Sequence, residues 1–212
     1  MEVYGERPKK FTKEWWGWVW LYYKWHIVAA IGAVVIIVTT LHDCANRTVY
    51  DLQITTVTDQ AILESQKDGI RALAEDVIDD ATGNGEKEVY VMPIMLSDKN
   101  GPQGIEAEYT RFAIERMAPE GYVFIMSQKY AEMVNEDGIL EPTDVWAPGV
   151  ESNGYAISLK DNEKLKELGI DMSYEELYVG VVQLFEENRE DELEVARHEN
   201  GVKFARTLLG LE

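Results

Sequence analysis

Two hydrophobic regimes divide the chain. From Trp15 to Leu41 there is one charged residue, Lys24, in 27 positions, with no polar face recurring at any helical or strand period. After Asp51, short apolar runs alternate with segments of helical spacing. A helix rises about 1.5 Å per residue, so the first regime would reach roughly 40 Å, enough for a hydrocarbon core of about 30 Å and one interfacial zone. Its halves differ. His26 to Leu41 is aliphatic and small after its first residue, whereas Trp15, Trp16, Trp18, Trp20, Tyr22, Tyr23 and Trp25 crowd the first half. Such rings have an apolar body and a polar tip, and they partition to the headgroup region. Lys24 can extend its ammonium to the same level. The pattern predicts a transmembrane helix over residues 15–43, with those seven aromatics and Lys24 as its interface anchor in the lipid bilayer, rather than the core helix of a soluble protein.

The second regime reads as alternating strands and helices. Asp51 to Thr58 is β-branched and alternating, hence a strand, and Asp59 is placed to cap the next helix. Gln60 to Ala81 has helical spacing weakened by Gly69. Glu88 to Leu96 predicts a second strand, in which Pro93 points to an edge position or a bulge. Ser97 to Gly104 is expected to be loop. A helix from Ile105 to Met117 would bury Ile105, Tyr109, Phe112, Ala113 and Met117. Tyr122 to Met126 is a continuous apolar run, the pattern of a strand covered on both faces. Ser127 would cap a short helix over 128–135, closed by Gly138. Glu141 to Gly154 reads as loop, Tyr155 to Leu159 as a strand, Leu165 to Leu168 as a helical turn ended by Gly169, and Glu176 to Phe185 as the last strand. A helix running through Leu209 would pack Val195, Val202, Phe204, Ala205 and Leu208. Alternation of this kind predicts an α/β fold: a single lobe with a mostly parallel or mixed sheet of about five strands, helices on both faces, and one transmembrane helix before it.

Charge assigns a compartment. Arg7, Lys9, Lys10 and Lys13 precede the apolar segment, and only Arg47 follows within 15 residues. The positive-inside tendency places residues 1–14 in the cytoplasm as a basic tail. Residues 44–50 then form a short stalk and 51–212 an extracytoplasmic domain. The apolar segment is too long for a signal peptide, and Asp43 stands directly before Cys44, where lipoprotein signals carry a small residue, so an uncleaved signal anchor is expected. Residues 45–212 hold 15 Lys and Arg against 35 Asp and Glu, a net of −20, which repels nucleic acid and anionic lipid. A lone cysteine excludes an intramolecular disulfide and thiolate zinc clusters.

Candidate chemistry is sparse. His198, the only histidine after residue 42, falls on a charged helix and reads as a solvated side chain. No Gly-x-Ser-x-Gly stretch accompanies it, so nucleophilic serine chemistry finds no support. Asp80 to Glu88 spaces oxygen ligands at alternate positions but lacks the closing glutamate of a calcium loop, so a helix-to-strand turn is expected. The acidic run from Glu186 to Glu194 suits the positive end of a helix. Ligands of open α/β sheets bind beyond the carboxyl ends of strands, which marks Asp59, Ser97 and Ser127 as ligand-facing candidates. No catalytic residue, metal ligand or cofactor is expected.

The stretch Tyr122 to Asp144 (YVFIMSQKYAEMVNEDGILEPTD) resembles a passage of bacterial extracellular solute-binding proteins of the type II periplasmic fold: an apolar strand, a serine, a short helix, a Gly-Ile-Leu and an acidic-proline turn. DLQITTVT and its helix resemble the first βα unit of the same lobe. The layout from YYKWHIV onward is similar to membrane-anchored proteins of Gram-positive anaerobes. The resemblance implies a bacterial cell membrane, and it departs in one respect: only about 28 residues separate Met126 from Tyr155, too few for a second lobe. A lone lobe lacks the wall that would enclose a small ligand. The expectation is therefore a non-enzymatic, membrane-tethered binding or accessory protein that docks another protein. The alternatives are a small-solute or cation-binding sensor or transport accessory, and a carboxylate-dependent hydrolase.

Overall fold

The computed structural model describes residues 9–45, 48–97, 101–170 and 175–211. Arg7, Arg47, residues 98–100 of the expected loop, and the side chains of Tyr22 and Cys44 lie outside the described part. The chain separates into two units, Met1–Thr48 and Val49–Glu212.

The first unit is one helix, α1 (Lys13–Ala45). Within it Tyr23–Leu41 is long and apolar enough to cross a membrane, with a mean hydropathy of 1.9 and none of it buried. Its late hydroxyls are satisfied internally: Thr39 donates to the carbonyls of Val35 and Ile36 at 3.0 Å, and Thr40 to Ile36 at 2.8 Å. A hydrocarbon environment requires that of every polar group. These properties support localisation at a membrane.

The second unit is an α/β domain. Its elements are β1 (Leu52–Thr58), α2 (Glu64–Val77), β2 (Val89–Met95), α3 (Gly101–Met117), β3 (Val123–Ser127), α4 (Gln128–Glu136), α5 (Thr143–Trp146), β4 (Ile157–Ser158), α6 (Glu163–Glu167), β5 (Leu177–Val181) and α7 (Glu192–Leu208). The sheet order is β2-β1-β3-β5-β4. Strands β1, β2 and β3 run parallel, and β5 is antiparallel to both β3 and β4. The sheet is thus mixed, as the alternation implied, and Pro93 does sit on an edge strand, where its missing N–H disturbs no inner ladder. The last strand is half as long as its apolar run, and a short helix, α5, interrupts the expected 141–154 loop.

Helices cover both faces. Ile54 pairs with Val123 and Thr55 with Phe124, so each pair faces one side. Val123 meets α7 at Gly201, where a Cβ would lie 3.3 Å from the Val123 side chain, and Thr55 meets α3. The helices α2 and α7 are joined by Asn200, which accepts from Asp79 N–H at 2.8 Å and donates to the Asp79 carbonyl at 2.8 Å. On the opposite face, α3 and α4 are joined by the Phe112–Tyr130 edge contact at 5.5 Å and by Arg116 to Asp137 at 2.6 Å. Gly69, which breaks the helical propensity of α2, is the point where the Leu168 side chain packs against that helix so closely that a Cβ would require it to shift.

The helix α3 departs from expectation. It starts four residues earlier, and of the five residues expected inside, only Phe112 is buried; Tyr109 and Ala113 are exposed, and Met117 is 86% exposed. The second buried residue is Glu115, 4% exposed. The sheet beneath explains this, because β1 presents the polar Gln53 and Thr55 to α3. Thr55 Oγ1 donates to Glu115 Oε2 at 3.4 Å. The fit is imperfect, since Gln53 Nε2 and Glu108 Oε2 are buried without a partner among the described residues. Gly121, just after α3, passes so close to β1 that a Cβ would stand 2.7 Å from the Gln53 carbonyl oxygen.

Burial first, and the charge of Glu120 second, push the Glu115 carboxyl up to about 7 from its ordinary 4.5, against the Thr55 hydrogen bond and Arg111. Its contribution to stability is complete at low pH, where both folded and unfolded forms are protonated, and is lost as pH rises through 7. Glu115→Gln should therefore match the parent below about pH 4 and exceed it by about 1–3 kcal/mol at pH 8. Urea unfolding of both proteins in detergent micelles checks this; parallel pH curves would refute it.

Candidate functional site

The three strands β1, β2 and β3 end side by side, and the antiparallel β5 begins at the same edge. Asp59 follows β1, Leu96 and Ser97 follow β2, Ser127 closes β3, and Glu175 stands two residues before β5. The edge is built on Tyr130 from the first turn of α4. Its ring is fully buried, held by Phe112, while its hydroxyl donates to Asp59 Oδ1 at 2.5 Å and approaches the Leu96 carbonyl at 3.3 Å. Lys129 Nζ lies 4.8 Å above that ring.

Glu175 completes the frame. Both its oxygens accept from Asp59 N–H, at 3.0 and 3.1 Å, and the nearby Ser127 hydroxyl and Gln60 backbone N–H favour its charged form. Its carboxyl is nevertheless raised above its ordinary range, chiefly by burial and, among charges, by Asp59. The Tyr130 phenol is raised as well, first by burial, then by its hydrogen bond to Asp59, which favours the protonated phenol.

The three expected ligand-facing residues do reach one edge, but their roles differ from those the sequence implies. Asp59 does not cap α2, because that helix starts at Glu64 after the cap residue Leu63; the spacer is closed by Leu63 N–H on Gln66 Oε1 at 2.8 Å. Ser127 occupies the N-cap position of α4 but makes no side-chain cap bond there. Asp59 is exposed, Ser97 is half-buried and Ser127 is buried. Sequence reasoning misses Tyr130 and Glu175: Tyr130 reads as an ordinary helix apolar, and Glu175 reaches this edge only because β5 runs antiparallel.

Beside this frame, between the β1–α2 loop and the approach to β5, lies a cleft of about 260 Å³. Its walls include Ile62, Leu63, Ile170 and Leu177, with Thr58 and Glu175 at the edge of the sheet. Gln66 ties the two sides by donating to the Gly169 carbonyl at 2.6 Å.

Other candidates resolve into structure. The Asp80 carboxylate accepts from Gly83 and Gly85 N–H at 2.7 and 2.8 Å, holding it below its ordinary range and closing a turn. No metal-binding cluster occurs among the described residues. His198 is half-buried rather than solvated, with Nε2 3.2 Å from Glu141 Oε2 and its ring edge-on to Tyr122 at 5.4 Å. The acidic run forms a single 3-10 turn at Glu186–Asn188, after which Asp191 caps α7 by accepting from Leu193 and Glu194 N–H.

Comparison with protein-family models, curated proteins and solved structures found no match to this chain. The resemblance to one lobe of a solute-binding protein rests on the sequence pattern.

The Tyr130–Asp59 bond yields a prediction. In a spectrophotometric alkaline titration, Tyr130 should stay protonated beyond the ordinary phenol range until the chain unfolds, so Tyr130→Phe should remove one late-titrating phenol and cost about 1 kcal/mol of stability. Loss of a phenol that titrates near 10 would contradict the geometry.

Proposed function

We propose that this protein is a non-enzymatic accessory protein of a bacterial cell membrane, anchored by α1 with its N-terminus in the cytoplasm, whose extracytoplasmic α/β domain docks another protein. The observation that carries the reading is α1 itself: 19 consecutive residues of a long helix with a mean hydropathy of 1.9 and none of them buried. A soluble protein would hide such a surface, because about 25 cal/mol is at stake for each Å² of apolar area left in water. The basic residues before the helix support the orientation, and the short stalk keeps the domain near the membrane.

The carboxyl edge of the sheet is the docking face in this reading. It combines an exposed apolar residue, Leu63, with the exposed carboxylate of Asp59 and the half-buried one of Glu175 on a frame held by Tyr130. Interfaces draw on that combination of apolar contact and fixed polar groups. Both carboxylates are engaged in holding loops, which favours recognition over acid–base work. Capture of a free solute draws on the same cleft, but its volume of about 260 Å³ falls below the roughly 300–1,000 Å³ of enclosed ligand sites.

A photo-crosslinking residue at Leu63, in the full chain in native membranes, should yield a discrete protein adduct, and the same residue at Glu151, on the loop between α5 and β4, should not. Identical patterns from both positions, or adducts to lipid alone, would refute the docking face.

A further inference from the structure

The charge around the cleft is one-sided. Among the described residues Glu175 is its only ionisable lining group, and no Lys, Arg or His lines it. Neither Glu175 nor Asp59 forms an ion pair with a cation among those residues. Both oxygens of Glu175 accept from a neutral donor, the Asp59 N–H, at 3.0 and 3.1 Å, and the other donors that favour its charged form, the Ser127 hydroxyl and the Gln60 N–H, are neutral too. Among the described residues the nearest cation to this edge, Lys129, meets the Tyr130 hydroxyl at 3.5 Å rather than Glu175, so a cation entering the cleft would find the half-buried Glu175 carboxylate held by neutral donors.

The walls set the rest of the ligand. Ile62, Leu63, Ile170 and Leu177 supply apolar surface, which suits a methylene stem that leads a charged head inward. The head is constrained too. A carboxylate meets a guanidinium through two parallel bonds, using both oxygens. Here both oxygens already share the Asp59 N–H, at 3.0 and 3.1 Å. The acceptor directions that remain suit a compact ammonium, a point charge with rotatable donors, better than a planar fork. The surrounding domain, with 15 cationic against 35 acidic side chains in residues 45–212, adds a field that draws cations in.

We propose that the carboxyl-edge cleft seats a lysine side chain of the docking partner, its ammonium on Glu175 and its stem against Ile62, Ile170 and Leu177. The inference rests on the docking face proposed above and names what that face recognises.

The test uses the full chain in lipid nanodiscs with isotope-labelled isoleucine methyl groups. The probes are n-pentylammonium, n-pentanol, n-pentylguanidinium and N-acetyl-lysine methylamide. Saturable shifts confined to Ile62 and Ile170 are expected with pentylammonium, at least tenfold weaker with pentanol and weaker with the guanidinium. The lysine amide should bind more tightly than pentylammonium, as a polypeptide side chain would. Glu175→Gln should lose the preference for ammonium over alcohol while the buried Ile125 methyl keeps its native shift, which shows that the fold is intact. Equal binding of the alcohol and the amine, or an ammonium preference that survives Glu175→Gln, would overturn the proposal. Binding of pentylammonium but not of the lysine amide would overturn it as well, and would assign the cleft to a free amine. Crosslinking at Leu63 fails independently: a partner recovered there without ammonium selectivity refutes only the lysine, whereas selectivity without a partner refutes the docking.

Discussion

The domain depends on one buried carboxylate. Asp51, wholly inaccessible to solvent, stands at the entry to β1 and accepts three backbone N–H bonds: Ala81 and Thr82 on Oδ1 at 2.8 Å each, and Glu88 on Oδ2 at 2.7 Å. The first two belong to the turn that leaves α2, and the third to the entry of β2. One side chain thereby fixes the start of β1, the exit of its crossover helix and the neighbouring strand. Asn200 of α7 extends the junction, donating to the Asp51 carbonyl at 3.3 Å and bracketing Asp79. Burying an ion is costly unless donors surround it, and bonds to charged acceptors are about twice as strong as neutral ones. Three such bonds at one carboxylate tie together the amino edge of the sheet.

The opposite edge depends on that register. With β1, β2 and β3 parallel, Thr58 paired with Met95 and Val57 with Met126, their carboxyl ends emerge together, and the antiparallel β5 returns Glu175 to them. The two edges use carboxylates differently. Asp51 is enclosed and saturated by donors, whereas Asp59 stays exposed and Glu175 half-buried beside an open cleft. The first arrangement holds a fold; the second leaves charge available to an incoming group.

Much of this was legible in the chain. The β-branched alternation of β1, the all-apolar run of β3 and the Pro93 edge position each state a local requirement that the fold met. Asp59, Ser97 and Ser127 were found because strand ends can be located from periodicity alone. Tyr130 and Glu175 were not, because their meeting depends on strand order and on the direction of β5, which no local pattern encodes. The face of α3 was misjudged for a related reason. Tyr109 and Met117 share helical spacing with Phe112, but the surface awaiting the helix carries Gln53 and Thr55, so Glu115 turned inward in their place. Asp59 reads as a cap because capping is the usual local use of such a residue, whereas its carboxylate accepts from the distant Tyr130; Ser127 does occupy the N-cap position of α4, without a side-chain cap bond.

In the orientation we propose, the α/β domain stands outside the membrane that α1 crosses. The most direct test is labelling of a Glu151→Cys, Cys44→Ser chain in intact cells with a membrane-impermeant thiol reagent. Labelling before lysis should reach the level seen after it, with the chain retained in the membrane fraction through an alkaline wash. Labelling only after lysis, or release of the chain by the wash, would contradict it.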